Sequence, residues 1–290
     1  MNVLEAIQRS ADFLARKGVD SPRLQSELLL AHVLRLPRLG LYLEFARALT
    51  EIEVGALREL VKRRGQREPL QHLVGSVSFC GLEITVSPDV LIPRPETELL
   101  AERAWEFLRN RTSHLPVHPR ILDYGTGSGC LAVGIAVKCP AATVVAVDIS
   151  PAALEVARSN ATRHRVCDRI CLVASNGLGA FLPNPVFDLL VANPPYIPTV
   201  EIASLQPEVR DFDPRIALDG GTDGLDFYRR LADEAIPCLK PGAWMMLEFG
   251  DRQADALEAI FRPPFWEIQS WEKDDTQRVR FLFVRLAYPE

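Results

Sequence analysis

The sequence has no apolar run approaching the ~18 residues a membrane-spanning helix needs. From Met1 to Arg16 it places Glu5, Arg9 and Asp12 where a secretory signal requires an unbroken apolar stretch. Neither a membrane nor an exported protein is expected, and a cytoplasmic one is. An excess of basic charge is also missing. Lys plus Arg number 33 against 38 Asp plus Glu, a net charge of −5, which excludes a general nucleic-acid coat and predicts no stable nucleic-acid partner. The six cysteines (Cys80, Cys130, Cys139, Cys167, Cys171, Cys238) form no CxxC pair. The five histidines (His32, His72, His114, His118, His164) lack tetrahedral zinc spacing. Reduced thiols are expected, with no metal site and no disulfide framework. Internal repeats and low-complexity tracts are absent as well. What is there is 290 residues, 48% apolar, enough for about two folded domains.

The N-terminal part carries helical periodicity and no strand signal. Leu4, Ile7, Ala11 and Leu14 share one face, and Ser21-Pro22 has the form of an N-cap before a second helix bearing Leu24, Leu28, Ala31 and Leu34. Thr50 with Glu53 has the form of a capping box, and Leu36 to Phe45 predicts a short helix. From Val74 to Cys80 and Leu82 to Val86 the pattern suggests a β-hairpin turning near Cys80-Gly81. The expected organisation is a small helical domain (residues 1–72), a hairpin connector (73–90) and an α/β domain (91–290).

Beyond Leu91 a proline-punctuated segment becomes helical to about Arg109, and strands then alternate with helices. Strands are predicted at Arg120 to Asp123, Thr143 to Asp148, Ile170 to Ala174, Phe187 to Ala192 and Ala243 to Phe249. Helices are predicted at Leu131 to Cys139, Pro151 to His164, Phe227 to Leu239 and Gln253 to Phe261. Trp266 to Trp271 and Val279 to Leu286, without a helix between them, predict an antiparallel terminal hairpin. This is the pattern of a doubly wound sheet.

Three constellations carry chemistry. The strand Ile121-Leu122-Asp123 runs into Tyr124-Gly125-Thr126-Gly127-Ser128-Gly129, a turn whose glycines let backbone approach a ligand. Its G-x-G-x-G spacing and preceding acid suit a ligand with an amino-acid end, S-adenosylmethionine, better than a dinucleotide. Asp148 ends the next strand, where an acidic side chain can accept ribose hydroxyls, with Ser150 the better cap for the following helix. Asn193-Pro194-Pro195-Tyr196 follows an apolar strand. Two prolines remove two N–H donors and stiffen a turn rich in acceptors. A planar NH2 group fits it: the Asn193 side-chain oxygen and the Pro194 carbonyl each accept one N–H, and Tyr196 packs on the plane.

These segments resemble class I S-adenosylmethionine-dependent methyltransferases that act on an amide or exocyclic amino nitrogen. Together with Pro69-Leu-Gln-His-Leu-Val-Gly75 and Leu91-Ile-Pro-Arg-Pro-Glu-Thr-Glu98, they are similar over nearly the whole chain to the peptide chain release factor glutamine N5-methyltransferase family. The resemblance implies a class I Rossmann-like doubly wound α/β sheet with an antiparallel terminal strand, behind a small helical domain and a hairpin. It implies methyl transfer to the glutamine of the Gly-Gly-Gln motif of class I release factors, modulating translation termination, with the helical domain as the substrate-docking part; the oligomeric state is left open, with a monomer favoured. S-adenosyl-L-methionine would be the cofactor and S-adenosyl-L-homocysteine the product. The implied cofactor residues are Gly125, Thr126, Gly127, Ser128, Gly129, Asp148, Ile149, Asn176, Gly177 and Asn193; the implied catalytic ones are Asn193, Pro194, Pro195 and Tyr196. No general base is assigned, and Glu96, Glu98 and Asp213 are read as structural. Arg58, Lys62, Arg63, Arg64 and Arg67 form a basic cluster that is either a solvated helix face or a docking surface. A nucleic-acid amino methyltransferase and a cofactor-binding scaffold without turnover are the competing readings.

Overall fold

The computed structural model describes residues 1–110, 116–179, 181 and 183–287; His114 lies outside them. The chain divides into two compact units, Met1–Ser76 with Gln206–Phe212, and Val77–Leu205 with Asp213–Glu290.

The first unit is helical: α1 (Val3–Arg16), α2 (Pro22–Leu34), a 3-10 segment (Arg38–Leu43), α3 (Glu51–Gly65) and α4 (Leu70–Val74). Capping boxes start two of these helices. Asn2 with Glu5 does so for α1, and Thr50 with Glu53 for α3, each satisfying N–H groups the helix cannot bond itself. Ser21 stands at the N-cap of α2, but its backbone is left-handed and its hydroxyl makes no capping bond. Val3, Ile7, Leu14, Leu29, Leu30, Leu41 and Leu57 fill the core. The chain returns to this unit at Gln206, forming α8 (Pro207–Arg210). There Glu208 accepts from Arg64 at 2.8 Å and from Arg67 at 2.7 Å. Arg64, 4% exposed, also donates to Gln25, while Arg63 pairs with Glu68. Of the predicted basic cluster, only Arg58 and Lys62 are exposed.

In the second unit, β1 (Ser76–Phe79) and β2 (Leu82–Thr85) form the hairpin. Cys80 and Gly81 turn it with φ of 51° and 76°, the left-handed pair that matches strand twist. Val74, expected to open a strand, instead closes α4, because Gly75 (φ 79°) caps that helix. A seven-stranded sheet follows in the order β5-β4-β3-β6-β7-β9-β8. Its strands are β3 (Arg120–Tyr124), β4 (Thr143–Asp148), β5 (Ile170–Ala174), β6 (Phe187–Ala192), β7 (Leu239–Glu248), β8 (Trp266–Lys273) and β9 (Val279–Leu286). The first five are parallel; β9 runs antiparallel between β7 and β8, as the doubly wound reading with an antiparallel terminal strand required.

Alternate residues feed two cores, as expected of a sheet covered on both faces. Ile121, Val144, Leu189 and Met246 enter one core with α5 (Pro95–Asn110) and α6 (Cys130–Lys138). Leu122, Val147, Leu190 and Leu247 enter the other with α9 (Asp226–Glu234) and α10 (Ala254–Ile260). Helix α7 (Pro151–Arg163) joins β4 to β5. The predicted helix Phe227 to Leu239 is shorter than expected: α9 ends at Glu234 and Leu239 already belongs to β7. Pro237 explains this, since the residue before proline is pushed out of helical conformation. All six cysteines are unpaired. Among the described residues no helix is long and apolar enough to cross a membrane.

Candidate active site

Strand register brings the predicted residues to one edge of the sheet. Tyr124 pairs with Val147 and with Ala192, and Ala192 pairs with Leu247. The residues that follow, Gly125, Asp148, Asn193 and Glu248, therefore leave four neighbouring strands side by side at their carboxyl ends. The sheet winds outward in both directions from β3 and β6, and open α/β sheets bind ligands at that switch point. A cavity lies there, with about 850 Å³ of empty space when its open mouth is counted.

Gly125, Gly127, Asp148, Ile149, Asn176 and Gly177 line that cavity, as do Asn193 and Pro195. Gly125 and Gly127 have φ of 69° and 53°, and a Cβ on either would meet nothing within 4 Å. Their backbone lies open to a ligand in a conformation that side chains disfavour. Asp148 accepts from the Gly127 N–H at 2.8 Å and the Ser150 N–H at 2.9 Å, while Ser150 caps α7. A carboxylate has about four lone-pair sites, so Asp148 retains acceptor capacity. Ile149, 46% exposed, presents an apolar face beside it.

Thr126, Ser128 and Gly129 do not line the cavity. The Thr126 hydroxyl donates to Asp123 at 2.6 Å, the Ser128 carbonyl accepts from Asn160 at 2.8 Å, and a Cβ at Gly129 would lie 2.9 Å from that of Ala157. These three shape the loop from behind. Asp123 stands behind it too, fully buried, its Oδ2 also accepting from the Ala132 N–H at 3.1 Å. Its Oδ1 is buried and receives no donor among the described residues. Burial pushes the Asp123 carboxyl up to about 7, against its hydrogen bonds from Thr126 and Ala132.

In the Asn193–Tyr196 turn, Asn193 Nδ2 donates to Thr97 Oγ1 at 2.9 Å. Among the described residues no donor reaches Asn193 Oδ1 or the Pro194 carbonyl, so the two acceptors the sequence reading required are available. The Tyr196 carbonyl accepts from Gln253 at 3.0 Å, and its ring packs with the second core, off the cavity wall. Burial pushes its hydroxyl up to about 12. Glu98 accepts from the Cys80 N–H, and Asp213 from Arg94 at 2.6 Å.

Several residues at the site escaped the sequence reading. Arg230 lines the cavity and donates to the Asn176 side chain at 3.0 Å and to Glu234, whose carboxylate also accepts from the Leu178 N–H at 2.8 Å. Phe227, Pro214 and Ile216 also line the cavity. Thr97 and Glu248, each 2% exposed, lie beneath the acceptor turn. Glu248 had one legible signal, a lone charge closing the apolar strand Met245-Met246-Leu247; Thr97 had none beyond its place in a proline-rich segment.

A glycine loop, an acidic residue on the next strand and an acceptor turn at the switch point of this sheet define a class I methyltransferase. Solved structures share the fold: the hMettl16 catalytic domain with an RNA hairpin (TM-score 0.54, 15% identity, 80% of this chain, 83% of that one) and a methyltransferase from Pyrococcus furiosus (0.50, 21%, 72%, 90%). Residues 5–75 match the PrmC N-terminal domain family, and 107–211 the ribosomal protein L11 methyltransferase family. Release factor glutamine methyltransferases are similar over most of the chain. That of Geobacter sulfurreducens is 48% identical, covering 86% of this chain and 84% of its own, and that of Chlorobaculum tepidum is 43% identical over 92% of each. The chain belongs to the release factor glutamine methyltransferase family and is an enzyme of that class.

Proposed function

We propose that this enzyme methylates the side-chain amide nitrogen of the glutamine in the Gly-Gly-Gln motif of class I release factors, with S-adenosylmethionine as donor. The observation that carries the reading is the pair of open acceptors, Asn193 Oδ1 and the Pro194 carbonyl, on a proline-stiffened turn beside the cavity. The fit to the cofactor rests on Gly125 and Gly127, which leave room for a ligand against backbone, and on Asp148, whose spare lone pairs suit ribose hydroxyls. The unmet buried oxygen of Asp123 suits an ammonium group behind the loop. Ile149 offers an apolar face to the adenine. Asn176 Oδ1 is committed to Arg230, so Asn176 contributes its N–H2 donors there.

S-adenosylmethionine supplies an electrophilic methyl on a sulfonium. An amide nitrogen is a poor nucleophile, so the protein's contribution is orientation. Asn193 and Pro194 accept both N–H bonds, hold the nitrogen in line and stabilise the positive charge it gains. The amide nitrogen that Asn193 and Pro194 hold would take the methyl, the donor would be left as a thioether, and one nitrogen proton would leave to water. Pro195 keeps the turn rigid. We assign docking of the release factor to the helical unit, and the reaction to the cytosol, where that substrate works.

Labelled S-adenosylmethionine, with a bacterial release factor, the same factor with its motif glutamine changed, and duplex DNA or ribosomal RNA in separate reactions, tests this. A single methyl on the motif glutamine, absent from the changed factor, is the expected result. Label on nucleic acid alone sinks the substrate assignment, and cofactor binding without transfer to anything sinks the catalytic one.

A further inference from the structure

Beneath the acceptor turn, three side chains form a relay with a defined direction. Asn193 Nδ2 donates to Thr97 Oγ1 at 2.9 Å, and Thr97 Oγ1 donates to Glu248 Oε2 at 2.8 Å. Because Ala192 pairs with Leu247, the next residues, Asn193 and Glu248, emerge from adjacent strands together, and Thr97 meets both from the first turn of α5. A threonine hydroxyl has one proton. With Glu248 as its acceptor, that proton points away from Asn193, and only a donor can face the hydroxyl from the Asn193 side. The carboxamide therefore turns Nδ2 inward, toward the Thr97 hydroxyl and the Glu248 carboxylate that also draws it, and leaves Oδ1 as its free end.

We infer that Thr97 and Glu248 are positioning residues for the methyl acceptor: they orient Asn193 so that its oxygen, and not its NH2, meets the incoming amide N–H. This rests on the reading of Asn193 as the group that holds the acceptor.

Reversing the relay makes the site repulsive. A protonated Glu248 can donate to Thr97, whose own proton then swings toward Asn193 and favours the flipped carboxamide. A donor would then face the donor of the substrate. Burial, with Glu96 adding to it, pushes the Glu248 carboxyl up to about 7, opposed by Thr97, Asn193 and Arg280. The other groups around it are the hydroxyls of Tyr196 and Tyr228, the latter donating to the Glu248 main-chain carbonyl at 2.8 Å, and Asp274, which shares Arg280. The charge on Glu248 thus changes in a range where turnover can be measured.

The test is steady-state methylation of a bacterial class I release factor by the intact enzyme at saturating S-adenosylmethionine. Thr97→Ala is expected to lower kcat roughly tenfold, the scale of one lost orienting hydrogen bond, with the cofactor KM within about twofold. Thr97→Ser, whose hydroxyl spans the same two partners, recovers most of that loss. Wild-type kcat falls as pH drops below about 7, and Glu248→Gln, which has no proton to gain, removes that fall. An unchanged kcat in Thr97→Ala overturns the inference. So does a loss that Thr97→Ser fails to recover and that follows a raised cofactor KM, or a pH profile that survives in Glu248→Gln. Asn193→Ala separates the two levels. Wild-type turnover in that variant defeats the site reading itself, whereas a large loss there with none in Thr97→Ala defeats only the relay.

Discussion

Two buried carboxylates brace the two halves of the site, in different ways. Asp123, at the carboxyl end of β3, holds the glycine loop directly through the Thr126 hydroxyl and the Ala132 N–H. Glu248, at the end of β7, holds Asn193 through the hydroxyl of Thr97. Burial pushes both up to about 7. The Ala132 N–H can only donate, so that anchor of the loop has a fixed direction, whereas the carboxamide of Asn193 can flip. On the proposed function, the cofactor half of the site would depend on backbone conformation, and the acceptor half on the direction of a proton.

The largest expected effect breaks the acceptor half alone. Asn193→Ala removes one of two aligned acceptors and should lower kcat by ~100-fold or more, the range seen when one preorganised charge-stabilising group is lost. Gly127→Ala should act mainly on the other half. Its φ of 53° places a new Cβ in open space but in a disfavoured conformation, which costs about 1–2 kcal/mol. Roughly a tenfold weaker cofactor affinity follows, read by isothermal titration. If both variants changed kcat and affinity in the same proportion, the division of labour between the halves would be wrong.

The same division explains what was legible in the sequence. The cofactor half announces itself because backbone geometry must be written into residue identity: Gly125 and Gly127 need left-handed φ, and Asp148 ends an apolar strand. The doubly wound sheet was equally plain, since each strand reads as an apolar run between helical periods. The orientation of Asn193 was hidden. It depends on Thr97 and Glu248, 96 residues before it and 55 after it in the numbering, which only strand register brings together. Arg230 was hidden for the same reason, because its partner Asn176 lies on another element. Local misreadings such as Val74 and the end of α9 came from Gly75 and Pro237, where a single residue overrode the apolar pattern.

The smallest expected effect sharpens the comparison through stability. In the unfolded chain Asp123 and Glu248 ionise near 4; in the folded chain burial raises both to about 7. Between those values the folded state holds protons that the unfolded state has released, so stability falls as pH rises, by on the order of 1 kcal/mol per pH unit for each group, and levels off once pH passes about 7. Glu248→Gln and Asp123→Asn should each flatten that fall in urea unfolding between pH 5 and 7. Their cofactor affinities should part company. Asp123→Asn can keep both hydrogen bonds to the loop on its carbonyl oxygen, but it puts an NH2 donor where the unmet oxygen stood. Binding of S-adenosylmethionine should therefore weaken by roughly tenfold, the worth of one charge-assisted bond. Glu248→Gln should leave that binding within about twofold and register instead in the pH profile of kcat. Equal loss of cofactor affinity in both would mean that the two carboxylates brace one shared structure.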